Sequence, residues 1–395
     1  MMPNNQMPNY AGAYQPTVVV RPSKNRRALK WVLGLFAALV AALLGLLVLL
    51  LIASETGLAA LLAAMIVASL PVPLYIMLIL WIDRYESEPL WMLTIAFFWG
   101  ATIAVFAAYF FNTIGSIVVA VLTQSSVITT LYGAVISAPI VEESFKALGL
   151  FILFFAKKDE FDGVVDGFVY AGMIGLGFAM TENFQYYGKV IYSGGLGSED
   201  FGQIYLLRGM LAPYSHPLFT SMTGMGLGAA RQSKNMAVKI IAPIVGFLLA
   251  IFLHGLWNFS AMLAGSLSGF LKVYFVLMVP IFLVTLVIIL FALRREGRVV
   301  KEHLYCDLQR GMLSQEEYNR LCSIRGRMGA SMRALARGGF GVWRARMQYN
   351  QAASELAFHR SRASRGLYES QQTAAEREAA YLQMLRELRQ RLGQH

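Results

Sequence analysis

The sequence predicts an all-α fold: a polytopic transmembrane helical bundle of about eight spans with a cytoplasmic helical tail. Three observations carry that prediction. Of 395 residues, 57% are hydrophobic and 14% charged, where a soluble domain carries about a quarter charged residues. Apolar runs long enough to cross a hydrocarbon core of about 30 Å recur through residues 31–293. Basic residues collect in alternate loops, as they do in chains whose cytoplasmic loops hold Lys and Arg.

The first thirty residues are rich in Pro, Asn and Tyr and end in Lys24, Arg26, Arg27 and Lys30. They are expected to form a disordered, basic cytoplasmic N-terminus. The apolar run behind them is about twenty residues long and lacks a small-residue cleavage site, which makes it a retained span rather than a signal peptide.

Spans are expected at 31–53, 58–82, 90–122, 128–156, 163–187, 207–230, 238–262 and 270–293. The third is overlong, so it either tilts or ends near Asn112 and continues irregularly. With eight spans, the basic groups before the first (Lys24 to Lys30) and after the fourth (Lys157, Lys158), sixth (Arg231, Lys234, Lys239) and eighth (Arg294, Arg295, Arg298) share one side. Both termini are therefore expected in the cytoplasm. The loop DRYESEP at 83–89 falls on that side although it is acidic, and acids count little in this rule.

Net charge is +5 over residues 1–30, −3 over 31–293 and +9 over 294–395. The basic excess thus belongs to the tails, where it sets topology or meets anionic lipid. Nucleic acid is not an expected partner. Cys306 and Cys322 both lie in the tail and form neither a disulfide framework nor a zinc signature.

Gly163, Gly167, Gly172, Gly175 and Gly177 in the fifth span, and Gly224, Gly226 and Gly228 in the sixth, are the small residues that let helices approach closely. In the tail, Ser314 and Glu317 form a capping box opening a short helix, within a helical motif at 303–322 that turns at Gly311. Leu382, Leu385, Leu388 and Leu392 make 371–392 an amphipathic helix able to pair with itself, lie on lipid or dock a partner. The Arg-, Gly- and Ser-rich stretch between these two is expected to be mobile.

Charged side chains inside the spans carry the functional reading. Each costs about 2.5–3.5 kcal/mol near the bilayer centre. EESFK places Glu142, Glu143 and Lys146 in the fourth span. Glu142 and Lys146 lie one turn apart and pair, while Glu143 points about 100° away and needs another partner. One tied and one free carboxylate separates a structural anion from a base for water. The fifth span adds Glu182 and Asn183, the sixth His216, the seventh His254 and Asn258 one turn apart. At about 1.5 Å per residue, Glu182, His216 and His254 lie roughly 7–13 Å below the outer surface.

Such a set also suits a proton or cation transporter, although no internal repeat of the transporter kind is present. A non-enzymatic membrane scaffold acting through its tail is a further alternative. No HExxH motif occurs, yet two histidines and Glu182 from different spans could hold zinc with an open position. The metal candidates are therefore His216, His254 and Glu182, beside a metal-free glutamate mechanism.

DRYESEPLW (83–91), EESFK (142–146), DGFVYAGMIGLGFAMTEN (166–183), Arg208 through His216, and HGLWN (254–258) together resemble the PrsW family of intramembrane proteases, relatives of the CAAX prenyl endopeptidases. The resemblance covers about residues 60–262. It implies an intramembrane endopeptidase of the bacterial plasma membrane with Glu142, Glu143, His216 and His254 as catalytic residues, and Lys146, Glu182, Asn183 and Asn258 in support. The prenyl-endopeptidase relatives imply Glu142 or Glu143 as the base that activates water, with His254 and Asn258 steadying the oxyanion. Lys146 stands where that motif has an arginine one position later, and Glu182 with Asn183 replaces its histidine. Prenylated tails are therefore not the expected substrate. The implied role is the first, extracytoplasmic cut in a single-span membrane protein such as an anti-sigma factor, hence a step in signal transduction.

Overall fold

The computed structural model describes residues 24–364 and 371–393, apart from residues 86, 159 and 265. The described residues are helical, with no strand among them. Residues 1–23 of the expected disordered N-terminus lie outside the described residues. Helix α1 (Lys24–Thr56) begins earlier than expected, so residues 24–30 are helical rather than disordered. No proline or glycine follows Pro22 until Gly34, and Lys, Arg, Ala and Leu are good helix formers.

Gly57, at φ 77°, divides α1 from α2 (Leu58–Ser69), which continues past Pro71 into α3 (Val72–Ile82). Helices α4 (Leu90–Phe98) and α5 (Val105–Thr123) are joined by a π-helical segment, Trp99–Ala104. The third span is thus one continuous helix through Asn112. After a left-handed turn at Gln124, α6 (Ser126–Leu131) and α7 (Ala138–Ala156) are joined by a second π segment, Tyr132–Ser137.

Helix α8 (Val164–Gly194) follows. The expected single helix at 207–230 is instead broken. A short α9 (Glu199–Tyr205) passes into a π segment, Leu206–Leu211, and α10 (Ser215–Gln232) starts afresh after Ala212–Tyr214. Pro213 and Pro217 supply no N–H at the break, and proline disfavours helix in the residue before it.

Helix α11 (Met236–Leu263) is followed by α12 (Leu267–Val273), a π segment at Tyr274–Met278, and α13 (Val279–Gln309). Six of these stretches are long and apolar enough to cross a membrane: Val32–Thr56, Leu58–Ile82, Leu90–Thr123, Val164–Gly194, Met236–Leu263 and Leu267–Gln309. The chain is a multi-pass membrane protein. The other two expected spans correspond to α6–α7, which carries Glu142, Glu143 and Lys146, and to the more polar α10.

Helix α8 is the axle of the bundle, buried almost continuously from Val165 to Ala179. Its glycines put backbone against backbone. A Cβ on Gly167 would lie 2.0 Å from the Gly224 carbonyl oxygen, one on Gly224 1.9 Å from that of Gly167, and one on Gly177 2.0 Å from that of Phe97. Lipid tails are as apolar as leucine, so helices in a bilayer associate by such close contact rather than by escape from water. Outward-facing Leu35, Phe36, Leu39 and Phe252 are more than half exposed and form part of the lipid-facing belt.

The tail is mostly helical over its described length. Helix α13 runs unbroken out of the apolar stretch and turns at Gly311 (φ 69°). Helix α14 (Gln315–Leu321) opens with the Ser314–Glu317 capping box. The stretch expected to be mobile is mainly α15 (Ile324–Ser364), kinked at Gly339; residues 365–370 lie outside the described ones. Composition hid a stripe of Tyr349, Ala352, Ala353, Leu356 and Ala357 at helical spacing, all buried. Helix α16 (Gln371–Gly393) lays Leu382, Leu385, Leu388 and Leu392 on this same cluster. The tail also meets the membrane part, through Arg362 to Asp162 at 2.9 Å and Arg327 stacked at 5.1 Å over Tyr85.

Candidate active site

Helix α7 brings three ionisable side chains into the interior. Glu143 and Lys146 are wholly buried, and Glu142 is 5% exposed. Lys146 Nζ donates to Glu143 Oε1 at 2.9 Å and reaches Glu142 Oε2 at 3.4 Å, so i,i+3 and i,i+4 spacings converge on one ammonium. The ammonium also sits 3.8 Å above the Phe178 ring and donates to His216 Nδ1 at 3.0 Å. A lone buried charge would be costly; here each has opposite charge or hydrogen bonds around it.

Glu142 pairs with Lys146 as its spacing predicts, and Glu143 finds further partners; which of the two acts as the base is left open by the sequence. Glu143 is the enclosed one: Thr220 Oγ1 donates to its Oε2 at 2.9 Å, and His254 Nδ1 lies 3.1 Å from its Oε1. Glu142 is on the wall of a cavity of about 1110 Å³ that is also lined by Glu182, Asn183, His216, His254 and Asn258. Spacing alone could not show this, because Lys146 reaches both carboxylates and α10 supplies Thr220 on the Glu143 side.

His216 enters from the first turn of α10, just past the break, and His254 from α11. Their rings stand 5.0 Å apart and nearly perpendicular, with Phe219 stacked on His254 at 5.2 Å. His254 Nε2 lies 3.8 Å from Glu142 Oε2, and His216 Nδ1 lies 4.0 Å from it. His216 Nε2 is 2.8 Å from Glu182 Oε2. Arg208, in the π segment before α10, donates to Glu182 and, through Nε, to Asn183 Oδ1 at 2.7 Å. Asn258 lies a turn beyond His254 and gives one N–H to the Ala134 carbonyl at 2.8 Å, fastening α11 to the π segment between α6 and α7.

Glu142, His216 and His254 offer one ligand atom each, all within 4.8 Å of one another and all buried. Two imidazoles and a carboxylate are a catalytic zinc donor set that leaves a position open. The second nitrogen of each ring is held by another carboxylate, Glu143 for His254 and Glu182 for His216, the outer arrangement that orients metal-binding histidines. The residues fit a divalent cation, with Glu142 rather than Glu182 as the acidic ligand. Such a cation would take over the His216 Nδ1 that here accepts from Lys146.

All eight sequence-predicted residues, Glu142, Glu143, Lys146, Glu182, Asn183, His216, His254 and Asn258, come together at or directly behind this cavity wall. Sequence reading left out Arg208 and Thr220 as site residues. Thr220 follows His216 by one helical turn and so shares its face, a signal present in the sequence. Arg208 gives a weaker one, an arginine in an apolar stretch, because its partners depend on the break after Leu211.

A helical membrane protein that gathers buried glutamates and histidines on the wall of one cavity has the build of a membrane hydrolase. A family model described as the PrsW family intramembrane metalloprotease matches residues 88–285. The chain belongs to the PrsW family and is a membrane peptidase. It is 28% identical over 209 residues to Protease PrsW of Oceanobacillus iheyensis, covering 53% of this chain and 85% of that one. It is 30% identical over 177 residues to Protease PrsW of Geobacillus kaustophilus, covering 45% and 69%. With Protease PrsW of Bacillus subtilis the identity is 29% over 178 residues, covering 45% and 72%. No solved structure matches the chain.

Proposed function

We propose that this peptidase is an intramembrane endopeptidase that makes the first, extracytoplasmic cut in a single-span membrane protein of the anti-sigma-factor kind. The observation that carries the reading is the position of Glu142: at the cavity wall, with both histidines about 4 Å from one carboxylate oxygen. Glu142 takes a proton from the attacking water, and Lys146, itself fixed by the buried Glu143, holds it in place. The proton passes to the departing amine as the peptide bond breaks. His254, oriented by Glu143, and the second N–H of Asn258 face the developing oxyanion.

In the alternative, metal-dependent form of the site, Glu142, His216 and His254 would instead serve as ligands of a zinc-like cation. Bound there, it would polarise the scissile carbonyl and lower the pKa of its water. Arg208 keeps Glu182, and through it His216, in register. Helices α6–α7 and α10 are taken as two further crossings, giving eight and placing both termini in the cytoplasm. In support, the end of α7, the start of α8 and the end of α10 meet at one end of the molecule, where Arg231 Nε donates to the Phe161 carbonyl at 3.1 Å and Arg295 Nη1 to Gln232 at 2.8 Å.

The test compares membranes of cells carrying the wild type or Glu142→Gln by quantitative proteomics. One single-span protein is expected to accumulate uncut in the variant, with cleavage slowed at least about 10²-fold. Full cleavage by a folded Glu142→Gln protein would remove Glu142 from this role.

A further inference from the structure

Helix α5 carries five polar side chains in an otherwise apolar sequence, and four of them, Tyr109, Asn112, Thr113 and Ser116, recur at helical spacing. The spacing i, i+3, i+4, i+7 puts them on one face, and that face lines the cavity. Polar groups in a span that served only packing would be expected to be tied within the protein. Ser137 Oγ does donate to Asn112 Oδ1 at 2.7 Å, and Tyr109 donates to Glu55. The hydroxyls of Thr113 and Ser116, by contrast, have no partner among the described residues.

The cavity continues along this face from Tyr109 to Ala120. Eleven residues of α-helix rise about 17 Å, the length of about five residues of extended chain. That is the form a substrate helix must take near the bond to be cut. An α-helix satisfies its own backbone groups, and one unwound in the membrane exposes N–H and C=O groups that lipid cannot satisfy, at several kcal/mol each. A row of hydroxyl and amide groups leading to Glu142 is what such a segment requires.

We infer that the polar face of α5, centred on Thr113 and Ser116, is a substrate-positioning site that takes the unwound backbone of a membrane-protein substrate next to its cut. The inference rests on the proposed endopeptidase function and adds where the uncut chain lies. Asn112, fastened to Ser137 at the foot of α7, sets the distance between this face and Glu142, five residues further on in the same helical stretch.

The test uses the full chain in proteoliposomes with a single-span substrate recovered from the Glu142→Gln membranes. The double variant Thr113→Val with Ser116→Ala is expected to lower kcat/KM about tenfold, as losing two hydrogen bonds of modest net strength should, with its melting temperature unchanged. Thr123→Val, whose hydroxyl caps back onto its own helix at Val119, is expected to cut as wild type. In the Glu142→Gln background, Thr113→Cys is expected to cross-link to single cysteines within about five residues of the cut, while Val118→Cys, which does not line the cavity, is not. Wild-type kcat/KM in the double variant, or equal cross-linking from positions 113 and 118, would overturn the inference. If the wild type itself cuts nothing that Glu142→Gln spares, the proposed function fails, and this inference with it.

Discussion

The axle of the membrane part and the C-terminal tail are both bundles of helices, yet they are held together by opposite means. Around α8 the contacts are made by the absence of side chains: glycines on α8 and α10 bring main chain to main chain. In the tail they are made by long ones. Arg360 forks onto Asp307 at 2.5 and 3.0 Å, donates to the His303 carbonyl at 2.8 Å, and binds Glu378 at 2.8 Å, so one guanidinium joins α13, α15 and α16. The difference follows the solvent. In water, apolar faces such as the leucines of α16 drive association and ion pairs choose the geometry. In lipid that drive is missing, and contact distance takes its place.

The sharpest way to break the comparison is to give the axle a side chain. Gly224→Val must displace a carbonyl that the new Cβ would meet at 1.9 Å, and neither backbone can yield as a flexible side chain would. Overpacking of this kind costs about 1–3 kcal/mol or more, so we expect loss of the monodisperse folded protein in fluorescence-detected gel filtration and loss of cleavage with it.

In the tail the matching change removes a side chain. Arg360→Ala leaves Asp307, 2% exposed, without its main partner, at a cost of about 3–5 kcal/mol to local docking. Limited trypsin digestion is expected to release α16 early while substrate cleavage stays within about twofold of wild type. A proportional loss of cleavage would show that the two regions are mechanically one.

The smallest effect concerns pH. Burial alone would raise the Glu317 carboxyl, but the hydrogen bonds from Arg389 and from the Ser314 N–H outweigh it and hold the pKa below its ordinary value. A depressed carboxylate contributes stability above its unfolded pKa and loses it as pH falls through the folded one. Docking of α16 on α14 is therefore expected to weaken only below about pH 4, in hydrogen exchange of residues 315–321, and Arg389→Ala should move that onset upward.

What could be read from the sequence divides along the same line. Glu142, Glu143, Lys146, His216 and His254 stood out because a charge or imidazole in an apolar run has few reasons to be there. The glycines of α8 and α10 announced close packing for the same reason of contrast. Which glutamate faces the cavity was not legible: it depends on Thr220 and His254, 77 and 111 residues beyond Glu143, and on the rotation of α7 about its axis. The break at Ala212–Tyr214 was signalled by Pro213 and Pro217 but overridden by the hydropathy around them. In the tail no background of apolar residues exists, so the buried stripe of α15 was lost among its arginines.

The charges of α7 also bear on how the protein is made. Three ionisable residues within five positions carry an insertion cost of roughly 8–10 kcal/mol if unpaired, and the helix leaves the ribosome before most of what satisfies them. Lys146 lies 70 residues ahead of His216, Glu143 77 ahead of Thr220 and 111 ahead of His254. Within α7, Lys146 pairs with both glutamates and offsets part of that cost as the helix emerges. If α7 is the crossing proposed above, the remainder is offset only once α10 and α11 have been synthesised, so the site is completed late in translation.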